Sequence, residues 1–264
     1  MIGKIKSAVQ IYRDRGLIEL YSITKHFLRS RAVPFRFEIW LREKINWMRY
    51  DTVPHPLTVL WIDPDIVNNF IRDISLNRRF DIGKIRGGNW DKNQIPLSQW
   101  RVYKGLKQRF EDEMEWEDTE YYQMGCDRIR ENGSAWQCTS PAEFLAQRCQ
   151  YVDELYESIR QHGYQRQTKL LKDQSEDTSR GTDVTTRHIN THEVSIAIAR
   201  DGELMVEAGI HRLCIARLLD IDEIPVQVLV RHRKWQETRN RVHNSGTVPP
   251  EIDPSHPDLQ DVLN

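Results

Sequence analysis

Gly209-Ile210-His211-Arg212 puts a residue without a side chain, an imidazole and a guanidinium where an apolar strand pattern gives way to helical spacing. A helix that starts there turns its first N–H groups outward, and these together with the helix dipole favour an anion, phosphate above all. Gly209 permits close backbone approach. Arg212 adds a permanently charged, bidentate clamp and His211 a further donor. A second stretch, Gly87-Gly88-Asn89-Trp90-Asp91, combines two permissive glycines with a stacking face at Trp90 and an acceptor at Asp91. Phosphoryl transfer needs phosphate clamps and a carboxylate near the nucleophile, and Asp91 and Glu207 are the candidate carboxylates. Each residue also has a plainer reading: His211 and Arg212 as solvent-facing residues of a first turn, Trp90 as a core plug beside a tight turn, and both carboxylates as solvated charges.

The elements that would position these residues can be read around them. Val194, Ile196 and Ile198 alternate, Asp201-Gly202 is a two-residue turn, and Leu204 and Val206 alternate again, which predicts a hairpin running into Gly209. Leu213, Ala216 and Leu219 follow at helical spacing, and Ile224–Val230 reads as a buried strand. Upstream, Leu57–Ile62 reads as a strand stopped at Asp63-Pro64. Asp65–Arg72 then reads as the start of a helix capped by Asp63, and the stretch after it as a polar loop. From about residue 100 to 172 the pattern is helical, with Val102, Leu106 and Phe110 on one face. A second helix opens at Ser140-Pro141 and ends at Gly163. Residues 172–192 are polar and without period, as in a mobile loop. Residues 236–264 form a proline-rich tail too polar to fold alone. No internal repeat is present.

The first 50 residues read as basic helices, with Lys and Arg exceeding Asp and Glu by seven through Arg49. Such helices suit an anionic membrane or a DNA or protein partner, or they pack on the core with solvated basic faces. The acidic cluster in residues 115–125 would balance them, since the 264-residue chain carries a formal charge of only −1. That balance argues against non-specific coating of nucleic acid. Cys126, Cys138, Cys149 and Cys214 have no zinc-ligand spacing, and no stretch is apolar enough for a signal or a membrane span. A cytoplasmic protein with reduced thiols is the expectation.

The segment 199–232, with Gly-Ile-His-Arg at a helix start and Ile-Pro-Val-Gln-Val in the following strand, resembles the ParB/sulfiredoxin superfamily, and "LTVLWIDPDIV" looks like that domain's first strand and helix. The resemblance implies an α+β fold: a small mixed sheet with helices over residues 51–235, here carrying a large helical insertion and N-terminal helices. It also implies a nucleoside triphosphate, ATP or CTP with Mg2+, whose phosphates would meet Gly209, His211 and Arg212. Gly87, Gly88 and Trp90 join them as candidate nucleotide contacts on their residue types. Two functions are compatible with it. One is a nucleotide-binding phosphotransferase acting on a small metabolite or surface-glycan-related substrate. The other is a non-catalytic nucleotide-responsive switch or DNA-associated protein. Ile210 stands where sulfiredoxin has its cysteine, so sulfinic-acid reduction is not expected, and Ala208 replaces an Asp frequent before the motif glycine. No helix-turn-helix module follows the domain.

Overall fold

The computed structural model describes residues 35–72, 76, 81–167, 169 and 193–263. The basic stretch before residue 35 and the polar segment at 172–192 lie outside the described residues. The described chain runs α1 (Phe35–Trp47), β1 (Val59–Ile62), β2 (Asn69–Ile71), β3 (Lys84–Arg86), β4 (Gln94–Pro96), α2 (Arg101–Phe110) and α3 (Glu120–Asn132). It continues with α4, made of Pro141–Glu143, a π-helical stretch Phe144–Cys149 and Gln150–His162, then β5 (Val194–Ile198), β6 (Leu204–Ala208), α5 (Ile210–Leu218), β7 (Ile224–His232), α6 (Arg233–Ser245) and α7 (Gln260–Leu263).

The strands form one open mixed sheet in the order β1-β7-β5-β6-β2-β4, with β3 also on β7. β5 pairs β6 as the antiparallel hairpin its alternation predicts, and both β5 and β3 run parallel to β7. Every residue of β5 and β7 is buried, as their continuous apolar runs require of central strands. On one face Ile196, Val206 and Val228 pack against Leu213 and Ala216 of α5 and Trp235 and Val242 of α6. On the other, Ala197, Met205 and Leu229 meet Ile39 of α1. The insertion, α2 to α4, builds its own core from Leu106, Tyr121, Phe144 and Val152, and joins the sheet domain through Cys214 and Ile215. Helix α5 is therefore buried on two sides. Desolvation pushes the Cys214 thiol up to about 12, so it is inert.

Three expectations need correction. Asp63 does cap a turn, accepting from the Asp65 amide at 2.8 Å, but the helix stops after Pro64–Ile66 and the chain enters the sheet as β2. β2 has edges to fill on both sides, parallel to β6 and antiparallel to β4, and ladder pairing overrides the local helical signal. The supposed polar loop after it likewise contains β3 and β4. The tail is not a loose appendage either: α6 crosses the expected boundary at residue 236, and Asp258 and Leu259 are fully buried. Within the insertion Glu120 pairs with Arg101 and Glu115 with Arg109.

Candidate functional site

Gly209 caps α5 with φ +83°, a left-handed conformation that L side chains rarely adopt, and a Cβ there would lie 3.0 Å from the Val194 Cα. Glycine is thus required by the turn and by the strand beside it. No side chain caps the helix and its first turn holds no acidic residue. Both features leave the positive end of α5 without a carboxylate of its own first turn.

His211 does not face solvent as a bare first-turn residue would. It turns toward the insertion, where its ring stands edge-on to Tyr121 and Trp136. Two helical glycines make that approach possible: a Cβ at Gly105 would fall 2.3 Å from the Tyr121 amide, and one at Gly125 would fall 2.4 Å from the Phe144 ring. The Tyr121 hydroxyl lies 3.0 Å from His211 Nε2 and accepts from Arg148 Nε at 2.9 Å. Arg148 Nη2 lies 3.3 Å from His211 Nδ1. A neutral imidazole fits these contacts, with Nδ1 accepting from Arg148 and Nε2–H donating to the phenol oxygen. Burial, then the guanidiniums of Arg148, Arg128 and Arg212, holds His211 well below its ordinary pKa. Burial also pushes the Tyr121 phenol up to about 12.

Trp136 is the platform for two of these cations. The guanidinium carbons of Arg128 and Arg148 lie 4.5 and 5.5 Å from its ring centroid. Its backbone is held in an uncommon way. Ala135 and Cys138 exchange two hydrogen bonds of 2.9 Å around a two-residue turn, with φ +47° at Trp136 and +72° at Gln137. Such a turn normally takes Asn-Gly, and each left-handed non-glycine residue costs about 1–3 kcal/mol. Arg148 itself sits in the π-helical stretch of α4, a local departure from regular helix that re-aims a side chain. Arg128 and Arg148 make no ion pair with a carboxylate among the described residues, and no carboxylate contributes to the shift at His211. Two guanidiniums thus gather at the Trp136 and His211 rings near one uncapped helix end.

The Gly87–Asp91 stretch lies elsewhere. Asp91 is buried and holds Arg200 in a two-point ion pair, Nη2 to Oδ1 at 2.6 Å and Nε to Oδ2 at 2.7 Å, and also accepts from the Arg200 amide at 3.1 Å. Burial works to raise its carboxyl, but Arg200, with His232 beside it, outweighs that and holds the pKa at about 2. Arg200 Nη2 and His232 Nε2 both donate to the Gly88 carbonyl, at 3.1 Å each. Trp90 packs on the His232 ring, with centroids 5.6 Å apart. These residues fasten a loop to the far tip of the β5–β6 hairpin, while Gly209 touches Val194 at the hairpin's other end. Six residues of strand separate the two, roughly 20 Å. The structure therefore does not bring Gly87, Gly88, Trp90 and Asp91 together with Gly209, His211 and Arg212.

Glu207, half-buried on β6, is the candidate carboxylate that does lie near the corner. Among the described residues no group of three or more His, Cys, Asp and Glu side chains is disposed to hold a metal ion. Sequence reading did not find Tyr121, Arg128, Trp136 or Arg148. They lie in segments whose pattern announces only helix packing, and nothing local marks Trp136-Gln137 as a turn. No protein-family model, no curated protein and no solved structure matches the chain. Among the described residues no helix is long and apolar enough to cross a membrane.

Proposed function

We propose that the corner formed by Gly209 and the start of α5, closed over by α3, the Trp136 turn and α4, binds phosphate groups, with a nucleoside triphosphate such as ATP or CTP as the expected ligand. The observation that carries this reading is Arg148 Nη2 3.3 Å from His211 Nδ1, with Arg128 and Arg148 both over the Trp136 ring that stands edge-on to His211, beside an uncapped helix N-terminus. Arg128 and Arg148, which share the Trp136 ring and make no ion pair with a carboxylate among the described residues, repel one another, and a multivalent anion is the partner that converts that repulsion into binding. The Gly-Ile-His-Arg motif and its likeness to the ParB/sulfiredoxin superfamily support a nucleotide in particular, and assignment of the sheet domain to that fold belongs to the same reading.

Binding is favoured over phosphoryl transfer. Both ring nitrogens of His211 are engaged by Tyr121 and Arg148, and Asp91 is held by Arg200 at the other end of the hairpin. A nucleotide-responsive switch therefore fits the site better than a kinase. The test is a titration of the full chain with ATP, CTP, GTP, ADP and pyrophosphate, with and without Mg2+, followed by calorimetry and melting temperature. At least one of these anions should bind, and Arg148→Ala should weaken it by at least about tenfold while Arg128→Lys, keeping the charge, weakens it less. Absence of binding by all five, or an unchanged affinity in Arg148→Ala, overturns the reading. Ligand-dependent release of phosphate would return phosphotransfer to first place.

A further inference from the structure

Helix α1 is polar on the side that faces the protein and apolar on the side that faces out. Glu38, Ile39, Arg42 and Asn46 are buried, Arg42 donating to the Ile82 carbonyl and Asn46 Nδ2 to the Gly83 carbonyl at 3.0 Å. Phe37, Trp40, Leu41, Trp47 and Met48 are 50%, 50%, 41%, 53% and 78% exposed. At 3.6 residues per turn these five and Lys44 fall within an arc of roughly 120°. Together they display on the order of 500 Å² of mostly aromatic surface, near the upper limit of what a monomer leaves open.

The charges around this stripe distinguish its partner. Lys44 sits inside the arc, and Arg36 and Arg49 lie exposed near its two ends. None of the three pairs with a carboxylate among the described residues. Of the helix's two carboxylates, Glu38 is buried and Glu43 lies outside the arc. A lysine in the middle of an apolar stripe is disfavoured at the core of a protein–protein interface. At a lipid surface the same lysine extends its charge into the headgroups while tryptophans sit at the boundary. The 34 residues that precede the helix add seven Lys and Arg against two Asp and Glu, continuing the same sign of charge.

We propose that α1 is a peripheral docking face for an anionic bilayer, lying in the membrane interface with Phe37, Trp40, Leu41, Trp47 and Met48 inserted and Lys44, Arg36 and Arg49 on lipid phosphates. The test is flotation of the full chain with vesicles of phosphatidylcholine alone and of phosphatidylcholine mixed with phosphatidylglycerol. Wild type should float with the mixed vesicles, more at low salt than at high. Trp40→Ala combined with Trp47→Ala should lower the bound fraction by about tenfold or more, and Lys44→Glu should lower it on the anionic vesicles. All three side chains are exposed, so melting temperature and circular dichroism should match wild type. Three results overturn the proposal. The first is wild type staying below with both vesicles. The second is unchanged flotation of the variants, which puts the lipid contact elsewhere in the chain. The third is an oligomer that the double variant dissolves without any vesicle binding, which assigns the face to a second copy.

Discussion

His211 illustrates how a titratable residue reports its surroundings. In the unfolded chain its imidazole takes a proton near 6.5, whereas in the fold burial and the guanidiniums of Arg148, Arg128 and Arg212 keep it neutral to a much lower pH. The folded state therefore binds fewer protons than the unfolded state as pH drops through that range, and stability must decline on acidification. His256, also pushed down by burial, acts in the same direction. Urea midpoints measured between about pH 7 and pH 5 should fall, with a limit of about 1.4 kcal/mol per pH unit for each group. His211→Gln should flatten that slope without abolishing it. A slope unchanged by the substitution would mean that the imidazole is solvated after all. Phosphate binding should oppose the effect, because an anion among the guanidiniums lowers the cost of a charged His211.

Separation of the two glycine-bearing stretches belongs to the element scale. Neighbours in sequence logic were Gly87–Asp91 and Gly209–Arg212, but the β5–β6 hairpin holds them at opposite ends. Asp91 and Arg200 serve as a strut between a loop and a hairpin tip. Asp91→Asn should cost about 2–4 kcal/mol, less than a fully buried pair would because Arg200 is 25% exposed to water. It should leave nucleotide or pyrophosphate affinity at the α5 corner unchanged, as read by calorimetry. A loss of affinity comparable to that of Arg148→Ala would place Asp91 in the binding machinery. The hairpin, α5 and the strand after it were legible from alternation, Asp201-Gly202 and helical spacing, because each is decided by local pattern. β2, β3 and β4 were not, since three-residue strands carry too little period and are decided by the neighbours they pair with. The corner was half legible: its glycine, histidine and arginine are contiguous, whereas Tyr121, Arg128, Trp136 and Arg148 come from 63 to 90 residues upstream of His211, through contacts no local signal encodes.

At the scale of the whole molecule the tail closes the fold. Asp258, fully buried, accepts from Arg231 at 2.6 and 2.9 Å and from the Trp235 indole at 2.9 Å, with Arg239 at 3.4 Å. Burial works to raise its carboxyl, yet the two guanidiniums hold it at about 2. His256 Nε2 donates to the Gly202 carbonyl at 2.8 Å, tying the same segment to the tip of the β5–β6 hairpin. Proline content and polarity suggest a detached tail because they measure what the segment can bury by itself. They do not register that the buried arginines of β7 and α6 need a carboxylate brought to them. Asp258→Ala leaves Arg231 and Arg239 in the interior without that charge, and should cost about 3–5 kcal/mol, seen as a lower urea midpoint with little change in m. The sign with pH follows from the lowered pKa: the stabilisation is complete above the unfolded carboxyl's value near 3.8 and is lost as pH falls toward 2. Wild type and Asp258→Ala should therefore converge in stability on acidification through that window. A variant as stable as wild type at neutral pH would mean that the two guanidiniums reach solvent when the tail is loosened, and that the tail is an appendage as its composition suggests.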